Sequence, residues 1–181
     1  ELYGPIPIMT EIADPSAADL DYYRNSVDEV VAFIDKELNE CYDLLPEKEL
    51  NPDGTINNER AAAPTKGAAL AILAKLHVYA ASPLFNPEND PELWHRAATA
   101  NKELLDYCVN ERGMKLVSDY ASLWDKNNYK NATDELIFGC RANRESSTME
   151  SYNYPAGIEG GNGGNCPTQN LVDAYETTDG Y

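Results

Sequence analysis

The stretch that constrains this chain most is residues 60–87, RAAAPTKGAALAILAKLHVYAASPLFNP, because it is apolar on nearly every face of the helix it predicts. Pro64 stands ahead of Thr65, whose hydroxyl can accept from the free N–H groups of a first turn, so a helix is expected to begin there; Pro83 ends it. Between Thr65 and Ser82 only Lys66, Gly67, Lys75 and His77 interrupt the Ala, Leu, Ile, Val and Tyr. A helix without a polar stripe has to be packed on several sides. The run is too short to cross a bilayer, which takes roughly 20 apolar residues, and Lys75 and His77 fall inside it. Its small residues let neighbours approach closely, which makes it the inner helix of an all-helical stack.

The segments on either side supply the neighbours. Residues 2–9, LYGPIPIM, carry Pro5 and Pro7 and are expected to be extended and irregular. Ser26, followed three residues later by Glu29, is a capping box that opens a helix running to residue 45, where Pro46 stops it. Val27, Val30, Val31, Ile34, Leu38, Cys41 and Leu45 form its apolar stripe. A third helix is expected from Pro91 to about residue 110, with Trp94, Ala97, Ala98, Asn101, Leu104, Leu105 and Cys108 facing inward and Arg112-Gly113 closing it. Residues 119–124 should add one or two helical turns, and residues 135–140, ELIFGC, a weak strand. Consecutive antiparallel helices joined through small residues give the expected fold class: all-α, tetratricopeptide-like antiparallel helix pairs with long irregular loops and little strand. The 19 residues between Leu45 and Thr65 are too many for a regular period of about 34. Helix pairs in a stack are therefore expected, and not a consensus array.

Charge removes whole classes of partner. With 14 Lys and Arg against 31 Asp and Glu in 181 residues, the net charge of -17 repels phosphate backbones, so nucleic acid and anionic lipid are not expected ligands. Cys41, Cys108, Cys140 and Cys166 show neither C-x-x-C spacing nor a nearby His, so no metal site is expected. Residues 51–58, NPDGTINN, carry oxygen ligands at odd spacing, but Gly54 is misplaced for a calcium loop and Ala62 stands where a bidentate Glu belongs, so the segment reads as a turn. No nucleophile elbow, catalytic Cys motif or P-loop occurs, no cofactor is expected, and the chain is not expected to be an enzyme.

From Arg141 onward the composition changes to RANRESSTMESYNYPAGIEGGNGGNCP, rich in Asn, Ser and Gly. Gly157, Gly160, Gly161, Gly163 and Gly164 lack the Lys-Ser/Thr ending of a phosphate cradle and read as a loop. Within it Tyr152 and Tyr154 stand among Arg144, Asn153 and Asn162. A ring face suits the C–H surface of a sugar, and amide or guanidinium donors suit its hydroxyls. Arg144, Tyr152, Asn153, Tyr154 and Asn162 are therefore the candidate ligand-binding residues.

Four pieces of the chain, in order, resemble the SusD/RagB family of surface glycan-binding lipoproteins of Bacteroidetes. They are Tyr3-Gly4-Pro5-Ile6-Pro7, then Arg24 and Ser26 leading to Leu44-Leu45-Pro46. The helix from Pro64-Thr65-Lys66-Gly67 to Lys75 follows, and last comes Pro167-Thr168-Gln169-Asn170-Leu171-Val172-Asp173-Ala174-Tyr175. The resemblance implies that residues 1–181 are the central fragment of one longer domain: an extended opening segment over 1–24, helix pairs over 25–128, and a strand, a long Gly/Asn/Tyr-rich loop and the start of the next element over 129–181. It also implies a lipoprotein on the outer-membrane surface, whose lipid anchor lies outside this fragment. Such a protein captures oligosaccharide or polysaccharide without catalysis and delivers it to a SusC-like TonB-dependent transporter. The alternative reading of the residues is a helical-repeat protein scaffold that binds no glycan.

Overall fold

In the computed structural model the described residues are 3–12, 16, 22–48, 51–53, 63–121, 135–139, 148–177 and 180. The chain divides into two units, Glu1–Cys140 and Arg141–Tyr181, at the point where the composition changes. Among the described residues the fold is all-α, with no strand.

The first unit is built on three helices. Helix α1, Val27–Tyr42, opens with the expected capping box: Ser26 Oγ accepts from Glu29 N (3.2 Å), and the Glu29 carboxylate accepts from Ser26 N (2.7 Å). It ends three residues earlier than the sequence suggests, because Leu44 N and Leu45 N turn back to the carbonyls of Cys41 and Tyr42 before Pro46. The opening segment is tied to its start, with Asn25 N donating to Ile6 O and Ile8 N to Asn25 Oδ1, both at 3.0 Å.

Helix α2, Lys66–Ala81, has its expected Thr65 cap and a Ser82 end. Helix α3, Pro91–Asp106, is capped by Asp90 and widens into a π-helical turn, Tyr107–Glu111, before Gly113. Gly67 lies against Tyr107 and Asn101 donates to Ala74 O (3.4 Å), so advancing along α2 retreats along α3. On the other side His77 Nε2 meets Asp35 Oδ1 at 3.2 Å and the Lys66 ammonium sits over the Tyr42 ring, which makes α1 and α2 antiparallel too. Helix α2 is thus the middle of the three, and its buried residues are Gly67, Ala68, Ala69, Leu73, Ala74 and Ala81. Its remaining face, with Ile72, Val78 and Tyr79, is exposed. The expectation of packing on several sides is met on two.

Two expectations are corrected. The inward face of α3 holds in part: Ala97 and Cys108 are buried as expected, joined by Tyr107, and Asn101 reaches the α2 backbone, while Trp94, Ala98 and Leu105 are exposed. Ala97 lets α3 approach the Ala-rich face of α2, and the Tyr107 ring is accommodated there by Gly67. The strand at 135–140 is absent from the described part, 135–139, which is turn, bend and coil. A strand needs a ladder partner, and this run is held by side chains instead: Glu135 accepts from Val117 N (2.8 Å), and Ile137 packs at Gly67.

Gly67 explains the Thr-Lys-Gly sequence of the α2 start. A Cβ there would stand 3.3 Å from Tyr107 and 3.3 Å from Ile137, tighter than ordinary contact. Arg112 secures the same corner, donating to the Tyr107 hydroxyl (3.3 Å) and to the Glu47 carbonyl. The helical turn expected at 119–124 is described only to residue 121, as a short 3-10 piece at Tyr120 and Ala121. Of the loop 51–58 only Asn51, Pro52 and Asp53 lie within the described residues, in a turn.

The second unit carries two short helices, α4, Thr148–Asn153, and α5, Gln169–Asp173. The Thr168 hydroxyl accepts from Leu171 N (3.4 Å), so both Pro-Thr pairs of the chain serve the same local purpose, setting a cap ahead of a helix.

Candidate functional site

The loop residues singled out from the sequence gather in the second unit around the end of α4. The backbone leaves Asn153, turns through residues 155–161 by way of Ile158 N to Pro155 O (3.2 Å) and Gly161 N to Ile158 O (2.8 Å), and doubles back. On the return Asn162 N donates to Ser151 O (2.7 Å) and Gly163 N to Tyr154 O (3.0 Å). Gly164 N and Asn165 N share Tyr152 O, each at 3.0 Å. Asn165 Nδ2 closes the arrangement on Asn153 Oδ1 at 2.9 Å. A stretch that reads in sequence as a glycine-rich loop is therefore a doubled-back segment closed by its own backbone hydrogen bonds.

Glycine lets the two arms of this turn approach closely. A Cβ on Gly161 would stand 2.3 Å from the Pro155 carbonyl oxygen, and one on Gly164 would stand 2.7 Å from Tyr152 Cδ1. The second contact also fixes how Tyr152 is held. The same point is 3.5 Å and 3.6 Å from Cε1 and Cγ, the two ring neighbours of Cδ1. Over the ring face the three distances would be nearly equal, so the contact is at the ring edge, and Gly164 covers neither face.

Tyr152 and Tyr154 are 53% and 48% exposed. Two residues apart, they do not project as a helix-face pair, so each ring is a platform of its own. Asn162 is exposed beside them, while the Asn153 amide is engaged as the acceptor that braces the returning segment. Of the five candidates the structure brings together Tyr152, Asn153, Tyr154 and Asn162; Arg144 lies outside the described residues. Asn165 belongs with them and was missed in the sequence. Its signal is an amide at the far end of the Asn162-Gly-Gly-Asn165 return, opposite the Asn153 it pairs with.

Elsewhere, the first unit has an apolar groove between α1 and α2, lined by Gly4, Val27, Val31, Ile34, Tyr79 and Phe85 among others. It holds no polar side chain capable of orienting a small molecule beyond the Tyr79 hydroxyl. No group of His, Cys, Asp and Glu able to hold a metal ion occurs among the described residues, and no described helix is long and apolar enough to cross a membrane. Comparison with protein-family profiles, with curated proteins and with solved structures returned no match to this chain.

Proposed function

We propose that this chain is part of a non-catalytic, SusD-like surface lipoprotein that captures neutral oligosaccharide or polysaccharide and passes it to a TonB-dependent transporter of the outer membrane. The observation that carries the glycan-binding reading is the doubled-back segment of the second unit. It presents Tyr152 and Tyr154 half-exposed, on a backbone closed by hydrogen bonds, with amides beside them. An aromatic ring loses little conformational entropy when a sugar stacks on it, and amide donors supply hydroxyl recognition. The net charge of -17 favours a neutral glycan over a polyanion. In this reading the tetratricopeptide-like helices are scaffold, and the transporter and the lipid anchor follow from the sequence resemblance alone.

Native affinity electrophoresis through gels containing neutral polysaccharides tests this. Retardation in at least one gel, lost in Tyr152→Ala or Tyr154→Ala, and no reducing ends released on incubation, are the expected results. Migration unchanged by every polysaccharide would overturn the reading, and release of reducing ends would make the protein a hydrolase. A second reading, a helical scaffold for another protein, is favoured by the outward face of α2, where Ile72, Val78 and Tyr79 are exposed. It predicts that substitution of those three residues, and not of the tyrosines, removes the binding partner.

A further inference from the structure

We propose a second carbohydrate platform in the first unit, formed by Trp94 and Asn89 at the start of α3, that stacks a neutral pyranose on the indole and donates to its hydroxyls from the Asn89 amide. It is separate from the tyrosine segment and does not depend on it.

The site begins with Asn86, a buried amide that organises the turn before α3. Its Nδ2 donates to the carbonyls of Ala81 (3.4 Å) and Asp90 (3.1 Å), and its Oδ1 accepts from Asp90 N (2.7 Å). Asn89 N donates to Asn86 O at 3.0 Å, and Asn89 is held at a φ of 52°, a left-handed conformation that asparagine tolerates better than other residues with a side chain. From there Asn89 Oδ1 accepts from Trp94 Nε1 at 3.0 Å. An indole nitrogen can only donate, so the amide atom facing it has to be the oxygen. That settles which way the amide lies: its NH₂ group is turned away from the indole nitrogen, and among the described residues nothing accepts from it.

The consequence is a pair of groups with one use between them. Trp94 is 42% exposed although its only polar atom is already satisfied, so what it offers is ring surface fixed in orientation. Asn89 offers two unused donors beside that surface. The neighbouring Glu88 and Asp90 are exposed and acidic, which suits a ligand dense in hydroxyls and disfavours a polyanion. An apolar protein partner would need a contiguous apolar patch of several hundred Å² and would leave the amide donors unmatched.

With Trp124→Phe as background, Trp94 is the sole indole, and its emission can be followed as maltohexaose, cellohexaose, xylohexaose and mannohexaose are titrated into the chain. At least one should change the emission saturably, and the change should survive Tyr152→Ala and Tyr154→Ala. Asn89→Asp keeps an oxygen for the Trp94 N–H and tolerates the positive φ but removes both donors; it should weaken binding about tenfold, the scale of one lost hydrogen bond to a bound hydroxyl. Calorimetry with Trp94→Ala in the otherwise unaltered chain should show that sugar's binding at this site gone. No emission change up to ~10 mM of any of the four sugars, a concentration that reveals even millimolar affinity, would overturn the site. So would an affinity unmoved by Asn89→Asp, or a signal that disappears with the tyrosines, which would leave the tyrosine segment as the sole binding region.

Discussion

The placement of α2 between its neighbours is tested by two adjacent residues that the sequence cannot rank. Ile72 and Leu73 are both large, both aliphatic and consecutive in a helix that is apolar all round, yet Leu73 is 6% exposed and Ile72 is 46% exposed. Truncating a buried Leu to Ala removes its transfer free energy and leaves a cavity, about 3 kcal/mol in an antiparallel packing that cannot fully collapse. Ile72→Ala loses only the buried half of its contacts and gains a few tenths from the better helix former, leaving about 1 kcal/mol or less. With a urea m-value of about 2 kcal/mol/M, the midpoints should fall by about 1.5 M and about 0.5 M. Circular dichroism at 222 nm against urea reads both, and unchanged m-values would show that stability alone moved. Equal midpoints, or a larger loss at Ile72, would mean that the packed face of α2 is wrong by a third of a turn or more. Leu73→Asp, which buries an unpaired charge at the same point, should leave too little native population to measure.

Three further outcomes follow from local geometry. Gly164→Ala places a methyl 2.7 Å from Tyr152 Cδ1, so the ring has to turn; glycan affinity should fall as in Tyr152→Ala while far-ultraviolet ellipticity stays unchanged, and unaltered affinity would show that the ring position is immaterial. Hydrogen bonds from the Ser26 backbone first, then from the Ser26 and Asn25 side chains, hold the Glu29 carboxyl below its ordinary value. A lowered folded-state value means a contribution present at neutral pH and lost as pH falls through that value, so Glu29→Gln should flatten the acid side of the stability profile; parallel profiles would refute it. Burial pushes the Cys108 thiol up, with Arg112 opposing, while Cys166 is exposed, so a thiol reagent at pH 8 should label Cys166 at once and Cys108 only on unfolding. Labelling in the opposite order would contradict the packing of the α3 end.

What could be read from the residues and what could not separates along physical lines. Caps are local chemistry, so Ser26 with Glu29, Thr65, and the proline and glycine stops were legible, and the helices begin where those residues stand. The face of α3 was legible only in part: Ala97 and Cys108 read as inward and are buried, whereas Trp94, Ala98 and Leu105 read as inward and are exposed. Leu93, Trp94, Ala97, Ala98, Leu104, Leu105, Tyr107 and Cys108 cover half its circumference, so two stripes fit the period and only packing against α2 chooses between them. That packing left Trp94 outside and buried Tyr107 against Gly67, whose missing Cβ makes room for the ring. The run ELIF has strand composition, but composition carries no information about whether a partner strand exists. In the second unit the tyrosines and asparagines were visible as chemistry. Their arrangement was not, because it depends on which glycines let the backbone cross at Tyr152 and Pro155, and a glycine cluster reads the same whether it is a turn, a cradle or a linker.

We propose that the second unit takes hold of a neutral glycan through Tyr152 and Tyr154. Isothermal calorimetry with the polysaccharide that most retards the chain tests it most directly, comparing the unaltered chain with the Tyr152→Ala/Tyr154→Ala double variant of matched helix content. A measurable heat of binding whose affinity falls tenfold or more in the double variant, about 1.4 kcal/mol or greater, is the predicted result. Equal affinities in the two proteins would contradict it.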